Sequence, residues 1–187
     1  MVARIKKKVR SADAKRLILR TRLWPDTKNS ALWLRKDRIG FTTIPRTMTL
    51  IGRIMDQLAG KGFPVFSTYF SLWCRVYDEG IVEIRNDREL AFESGFSGPR
   101  GEVTWRGRMR ILQNLGLIDI RPGLASDMQY VLILNPILVI VDVYDQKKIK
   151  EDVAFAALMA RLIEVGADDL EYHDENEDES DDEDEDA

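Results

Sequence analysis

The chain has 187 residues and a single cysteine, Cys74, which excludes an internal disulfide and a multi-cysteine metal cluster. Its formal net charge of −4 conceals a strong segregation along the sequence. Residues 167–187 hold 14 acidic side chains and no Lys or Arg, whereas residues 1–166 hold 28 basic and 18 acidic side chains. The first 46 residues alone contain 14 basic and three acidic side chains.

Charge and apolar patterning predict four segments. Residues 1–46 form a basic arm that we expect to be partly extended or flexible. Residues 47–135 form the folded domain, with an added N-terminal helix, and residues 136–166 form a helical extension. Residues 167–187 form an acidic tail that we expect to be disordered, because like charges repel and little apolar surface offsets the chain entropy.

Two helices are predicted first in the folded domain. Apolar residues recur at helical spacing from Leu50 to Leu58, and this helix should end at Gly60. The second should begin at a Ser67 cap and end at Gly80. Its predicted buried face consists of Phe70, Trp73, Cys74 and Tyr77.

The pattern then changes to short, β-branched runs. Residues 81–84 predict a small strand, and Asp87 is expected to cap a helix that ends at Gly95. In that helix Leu90, Ala91 and Ser94 should face a neighbour. After a glycine-proline turn, a longer helix runs from Glu102 and ends at Gly116.

Two strands and two helices complete the predicted elements. Residues 117–121 and 130–134 form a β-hairpin, and Asn135-Pro136 should cap a helix that runs to about Tyr144. Residues 151–166 form an alanine-rich helix. Its predicted packing face consists of Phe155, Leu158, Met159 and Leu162.

The order of elements from residue 67 to 134 resembles the winged-helix variant of the helix-turn-helix family. The resemblance rests on "ELAFESGFS" as the first helix and turn, "GEVTWRGRMRILQNLGLI" as the recognition helix and "DIRPGLASDMQYVLIL" as the wing. Similar passages occur in regulators and in plasmid-type replication initiators. The resemblance implies a mainly α fold with a small β-wing: a winged helix-turn-helix with helical N- and C-terminal extensions. It also implies double-stranded DNA as the partner, with the second helix in the major groove.

A helical wheel of residues 102–115 separates a core face from a polar face. The core face consists of Trp105, Met109, Leu112 and Leu115. The opposite side carries Val103, Arg106, Gly107, Arg110, Gln113 and Asn114. Arg106 and Arg110, one turn apart, can bind phosphates or guanine edges. Gly107 lowers helix propensity by about 1 kcal/mol relative to Ala, which we interpret as room for close DNA contact.

Further basic residues are candidate phosphate contacts. Arg100 precedes the helix N-terminus, where a phosphate is favoured, and Arg121 begins the wing. The basic arm contributes Lys6, Lys7 and Lys8. Arg108 lies near the core flank and is predicted to be structural. The alternative for the helix arginines is ordinary solvation or ion pairing with Glu89, Glu93 or Glu102.

The sequence contains few residues that would suit single-strand binding, catalysis or metal binding. Trp24 and Trp33, flanked by arginines, are the only candidate stacking platforms for single strands. The sole histidine, His173, lies in the acidic tail, and Asp142, Asp145 and Lys147 only loosely resemble a metal-nuclease cluster. We therefore expect no enzyme activity, no cofactor and no metal.

The sequence favours a sequence-selective duplex-DNA-binding protein, a transcriptional regulator or a replication or maintenance factor of a mobile element. The alternative is a protein–protein adaptor that uses the winged helix and the acidic tail. A homodimer through residues 137–165 would double the footprint on DNA. The tail is expected to compete with DNA, to bind a basic partner, or only to aid solubility.

The expected location is the cytoplasm, with nucleoid association if the protein is bacterial. The N-terminal segment is interrupted by too many Lys and Arg residues for a secretion signal. The most apolar run, residues 131–144, is short for a membrane span and is broken by Asn135-Pro136. We expect a soluble protein with no membrane partner.

Overall fold

The computed structural model describes residues 14–147 and 149–170. The chain divides into two compact units between Thr42 and Thr43. In the first unit, residues 14–23 form a helix, α1. Two short 3-10 helices follow at Asn29–Ala31 and Arg35–Asp37, and none of their residues is buried.

The second unit is mainly helical with one small antiparallel sheet over its described residues. Six helices and three strands follow one another along the chain. They are α2 (Met48–Ala59), α3 (Phe66–Trp73), β1 (Ile81–Glu83), α4 (Asp87–Glu93), α5 (Gly101–Asn114), β2 (Ile118–Arg121), β3 (Tyr130–Ile133), α6 (Pro136–Gln146) and α7 (Val153–Val165).

The sheet has the strand order β1-β3-β2, so the last strand in sequence lies in the centre. Strand β3 pairs antiparallel with both neighbours, and Val131 lies opposite Val82 on one side and Ile120 on the other. These three side chains are buried. Because side chains alternate across a strand, this register places one face of the sheet on the core and the other in solvent.

One hydrophobic core holds the helices and the sheet together. Its largest fully buried side chains come from α2, α3, α4, α5 and the strands. Helices α6 and α7 add a second layer, in which the rings of Tyr144 and Phe155 stack with centroids 4.4 Å apart. Full burial of a large apolar side chain in this core contributes about 1.5–3 kcal/mol.

The prediction for α3 was wrong at both ends. The helix is capped by Asp56, whose carboxylate accepts hydrogen bonds from the backbone N–H groups of Val65 and Phe66, and not by Ser67. It ends at Trp73, seven residues before Gly80. The Trp73 indole donates to the carbonyl of Thr43 at 2.9 Å, which fixes this end of the helix.

The predicted buried face of α3 was also wrong, because it is rotated by about one residue. The residues that α3 buries are Thr68, Tyr69, Ser71 and Leu72. Phe70 and Trp73 are half-buried, whereas Cys74 and Tyr77 are exposed. The guanidinium of Arg75 binds Glu89 at 2.6 Å and also binds Glu93, and these ion pairs connect the residues that follow α3 to α4.

The remaining element predictions are largely confirmed, with one change of cap. Asn86, not Asp87, caps α4, because its side-chain oxygen accepts from the N–H groups of Arg88 and Glu89. Asp87 occupies the first helical position. Asn135 caps α6 as predicted, and its side-chain oxygen accepts from Ile137 at 2.9 Å.

In the part of the chain that the structure describes, no helix combines the length and the apolar character needed to cross a bilayer.

Candidate nucleic-acid interface

A tight, glycine-dependent turn fixes α5 relative to α4. Gly95 has φ 88°, and the N–H of Phe96 donates to the carbonyl of Ala91 at 2.8 Å, which closes the end of α4. A Cβ atom on Gly101 would lie 2.9 Å from the carbonyl oxygen of Phe96. Only glycine therefore allows α5 to begin this close to the turn.

The inward face of α5 is the one that the sequence predicts. Trp105, Met109 and Leu112 are fully buried, and Leu115 is buried just beyond the helix. Three large side chains at this spacing fix the rotation of the helix about its axis. The side chains on the opposite face are consequently held at set positions in solvent.

That outward face is open toward the C-terminal half of the helix. Arg110, Gln113 and Asn114 are exposed, as is Val103 near the start. Within the described residues Arg110 makes no ion pair. A Cβ atom on Gly107 would meet no other atom within 4 Å, so the fold itself does not require glycine there.

Arg106 differs from the free cation that the wheel predicts. Its two guanidinium nitrogens donate to Asp87 at the start of α4 and to Asp127 in the β2–β3 loop, residues 122–129. The hydrogen bond that Arg106 donates to Asp87 first, and the charges of both carboxylates, raise the pKa of Arg106. Arg106 therefore joins three elements, and the cluster of one cation and two carboxylates carries a formal charge of −1.

The carboxylates that bind Arg106 are not those weighed from the sequence. Glu89 and Glu93 pair with Arg75 instead. Glu102 is exposed in the first turn of α5. On the outward face of α5 the positive charge that is not ion-paired within the described residues is therefore that of Arg110, one turn C-terminal to Arg106.

Arg108 is structural in its contacts, as its position near the core predicts. Its guanidinium lies over the rings of Phe63 and Phe96, 5.0 and 5.9 Å from their centroids. It also donates to the carbonyl of Gly62 at 3.2 Å. The contacts with Phe63 and Gly62 tie α5 to the loop that precedes α3, and the contact with Phe96 ties it to the α4–α5 turn.

Arg100 and Arg121 lie before α5 and after it in the chain. Arg100 is exposed at the N-cap position of α5, where it forms no side-chain cap. The guanidinium of Arg121, at the end of β2, is exposed and pairs with Asp119 at 2.9 Å. Exposed pairs of this kind contribute about 0–1 kcal/mol, so a phosphate could displace Asp119 at little cost.

Arg88, which is not among the predicted contact residues, is exposed on α4. It borders a groove of about 670 Å³ between α4 and the start of α5, to which Phe92, Phe96 and Pro99 also contribute. A helical wheel of α4 would have found it, because Arg88 and Phe92 stand one turn apart, opposite Leu90.

The first unit carries the two tryptophans proposed as stacking platforms. Trp24 and Trp33 are both exposed. The ring of Trp33 meets Phe41 edge-on with centroids 5.9 Å apart, and Arg35 lies over the same Phe41 ring. Lys6, Lys7 and Lys8 lie outside the described residues, as do residues 171–187 of the acidic tail.

The weakly suggested metal cluster has a different role in the structure. Asp142 accepts a hydrogen bond from Gln146 at 2.6 Å, near the exposed end of α6. Across residues 14–147 and 149–170, no group of three or more His, Cys, Asp and Glu residues is placed to hold a metal ion. His173 lies beyond these residues.

Comparison with known proteins found no match for this chain among family descriptions, curated proteins or solved structures.

Proposed function

We propose that this chain is a sequence-selective double-stranded DNA-binding protein and that residues 66–133 are a winged-helix domain. The order α3, β1, α4, α5, β2 and β3 supports this proposal. So does the sheet order β1-β3-β2, which leaves the β2–β3 hairpin at one end of the sheet beside α5. In such a domain α5 is the recognition helix and the β2–β3 loop is the wing.

The observation that carries the proposal is the outward face of α5. A firmly packed helix presents the exposed guanidinium of Arg110, which has no ion pair in the described part of the chain, beside the amides of Gln113 and Asn114. Arg donates in pairs to guanine and Asn or Gln to adenine, so these residue types suit base edges in the major groove. The open position at Gly107 lets the backbone approach the DNA closely.

Arg106 has a positioning role in this proposal. It holds the β2–β3 loop against α4 and α5 through Asp127 and Asp87. With the loop held, Arg121 at its start and Arg100 at the other edge of α5 can contact phosphates on the two sides of the groove. Arg88 adds a further cation on α4. The biological role that follows is transcriptional control, or replication or maintenance of a mobile element.

The test is charge reversal at Arg110. Arg110→Glu should weaken binding to a selected duplex by about 10- to 100-fold, since a base or phosphate contact of Arg is worth about 1–3 kcal/mol. Arg53→Glu makes the same charge change at an exposed position of α2 and is the matched control. Fluorescence anisotropy at two salt concentrations measures the affinity, and thermal unfolding checks that both variants fold.

Arg106→Glu is unsuitable for this test because it would bring three carboxylates together. Equal affinities of the wild type, Arg110→Glu and Arg53→Glu for duplex DNA would refute α5 as the recognition helix. Failure of the wild type to bind any duplex would refute the proposed function as a whole.

A protein–protein adaptor is the second candidate function. It is favoured by the groove beside α4, where Phe92 stands exposed next to Arg88. An adaptor function predicts that Phe92→Ala weakens binding to a partner protein, whereas Arg110→Glu leaves that binding unchanged. DNA binding predicts the reverse order of effects for the same two variants.

A further inference from the structure

The first compact unit exposes both apolar rings and positive charge. None of its described residues, 14–42, is buried. These residues include eight basic and two acidic side chains, a formal net charge of +6. The large apolar side chains that the unit exposes are Leu17, Ile18, Leu19, Leu23, Trp24, Trp33, Ile39 and Phe41. A segment with this charge attracts polyanions, and its exposed rings offer them further contacts.

The indole of Trp33 is held in place within this unit, although tryptophan is among the side chains that proteins bury most. It is 66% exposed, and the Phe41 ring meets it edge-on with centroids 5.9 Å apart. The 3-10 helix at Arg35–Asp37 turns the chain between the two rings. Across the same turn Arg38 donates to the carbonyl of Leu32 at 3.5 Å. We name residues 32–41 the Trp33 turn.

Three exposed cations, Arg35, Lys36 and Arg38, lie in the Trp33 turn. None of them makes an ion pair within the described residues. The guanidinium of Arg35 lies over the Phe41 ring, 5.3 Å from its centroid. A guanidinium stacked in this way keeps its in-plane N–H groups for a phosphate oxygen. The turn therefore combines an exposed aromatic ring with groups that bind phosphate.

Aromatic rings interleaved with cations suit a single-stranded nucleic acid. Unpaired bases expose flat faces on which an aromatic side chain stacks, while cations follow the backbone phosphates. In a duplex those faces are covered by the neighbouring bases, so Trp33 could reach them only by unstacking the helix. An acidic peptide would pair with the cations but would offer the indole no base to stack on.

A lipid surface fits this unit less well. A helix that lies on a bilayer has one apolar face and one polar face. In α1 the apolar residues Leu17, Ile18 and Leu19 are consecutive, so they point in different directions around the helix. The unit therefore has no single apolar face to place in a membrane.

We propose that the Trp33 turn is a binding site for single-stranded nucleic acid. The indole of Trp33 stacks on an unpaired base, and the neighbouring cations bind the adjacent phosphates. Stacking uses the face of the base and not the 2′-hydroxyl, so the site accepts both DNA and RNA. It lies within the first unit alone, and the proposal does not rest on duplex binding by α5.

Fluorescence anisotropy of the full chain with labelled oligo(dT) and oligo(U) of about 20 nucleotides tests the site. Trp33→Ala should weaken binding by about 5- to 150-fold, the usual loss when one base–aromatic stack is removed. Trp33→Leu, which is apolar but has no ring, should bind as weakly as Trp33→Ala. Ile39→Ala removes a side chain that is 98% exposed in the same turn and should bind like the wild type. The tighter of the two oligonucleotides identifies DNA or RNA as the preferred strand.

Tryptophan fluorescence gives a second readout of stacking. Binding of either oligonucleotide should quench the emission of the wild type. Trp33→Phe keeps a ring, so it should still bind while losing most of the quenching. If quenching by bound oligonucleotide were unchanged in Trp33→Phe, Trp33 would not be the stacking residue and the proposal would be wrong.

Arg110→Glu separates this proposal from the function proposed for α5. It should lose duplex binding and still bind oligo(dT) and oligo(U) like the wild type. If it weakened single-strand binding as much as Trp33→Ala does, the strand would bind at α5 and the Trp33 site would be refuted. A wild type that binds neither oligonucleotide, or Trp33→Leu binding as tightly as the wild type, would also overturn the proposal, whatever the result for duplex DNA.

Discussion

Helices α5 and α7 are of nearly equal length, 14 and 13 residues, and both bury one face against the same core. Their inward faces are alike, since each carries large apolar side chains with no exposed surface, such as Leu112 and Leu158. Their outward faces differ in kind. That of α5 carries the exposed Arg110, which makes no ion pair within the described residues. That of α7 carries the exposed Val153 and Ile163, with one acidic residue, Glu164.

The inward faces of α5 and α7 stabilise the fold, whereas their outward faces are available to a partner. The inward faces explain why both helices form and stay in place. The outward faces are not constrained by packing in the core. Their residue types therefore indicate which kind of partner could bind them. Arginine and amide groups suit the base edges of a nucleic acid, which is the role that the proposed function gives to the outward face of α5.

The largest effects should come from the inward faces. Leu112→Ala and Leu158→Ala should each lower the free energy of unfolding by about 2–5 kcal/mol, because both side chains are fully buried. The outward changes Val103→Ala and Ile163→Ala should stay within about 0.5 kcal/mol in the monomer. Urea unfolding at low protein concentration measures all four. A large loss of stability in Val103→Ala would show that the outward face of α5 also contributes to the stability of the fold.

A second comparison is between the two partners of Arg106. Arg106→Ala should cost about 1–3 kcal/mol, since it leaves Asp87, whose side chain is only 12% exposed, without its cation. Asp127→Asn should cost at most about 1 kcal/mol, because the Asp127 side chain is 58% exposed.

Urea unfolding of both variants checks this order. Arg110→Ala is the matched control, because the same truncation one turn away removes no ion pair in the described chain. If Arg106→Ala proved as neutral as Arg110→Ala, the two ion pairs of Arg106 would not stabilise the fold, and the positioning role proposed for Arg106 would be wrong.

The smallest expected change in stability comes from the N-terminal cap, which α7 has and α5 lacks. Asp152 caps α7 by accepting from the N–H groups of Ala154 and Phe155 at 2.9 Å, whereas Arg100 provides no side-chain cap for α5. Asp152→Ala should therefore cost about 1 kcal/mol at neutral pH. Asp152→Asn keeps an acceptor oxygen and should cost less.

The cost of Asp152→Ala should depend on pH. The hydrogen bond from Phe155 first, then that from Ala154, lowers the pKa of Asp152 below its ordinary value. A lowered folded-state pKa gives stability that is complete above the unfolded-state value, about 3.9, and is lost as the pH falls through the folded-state value. The unfolding temperatures of wild type and variant should therefore differ most above about pH 5 and converge as the pH falls through the folded-state pKa.

The inward face of α5 could be predicted from the sequence because helical periodicity is local. Trp105, Met109 and Leu112 recur at a fixed spacing, and no distant residue is needed to find them. The partners of Arg106 could not be predicted in this way. Asp127 is 21 residues away in a loop, and its position depends on the hairpin register.

Two further errors have the same origin. Asn86 and Asp87 are both good capping residues, and only the backbone geometry decides that Asn86 caps and Asp87 is left for Arg106. In α3 the predicted buried face leaves out Ser71, because a serine side chain is usually exposed. In the structure its hydroxyl is buried and hydrogen-bonded to that of Ser94 at 2.8 Å, a contact that depends on the packing of α3 against α4.

Selection of genomic DNA fragments by the purified full chain tests the central claim most directly, since it asks whether the α5 surface distinguishes one duplex from another. The account predicts enrichment of fragments that share a short sequence, with the enrichment lost in Arg110→Glu and kept in Arg53→Glu. Fragments recovered without a common sequence, or the same sequence recovered by Arg110→Glu, would contradict it.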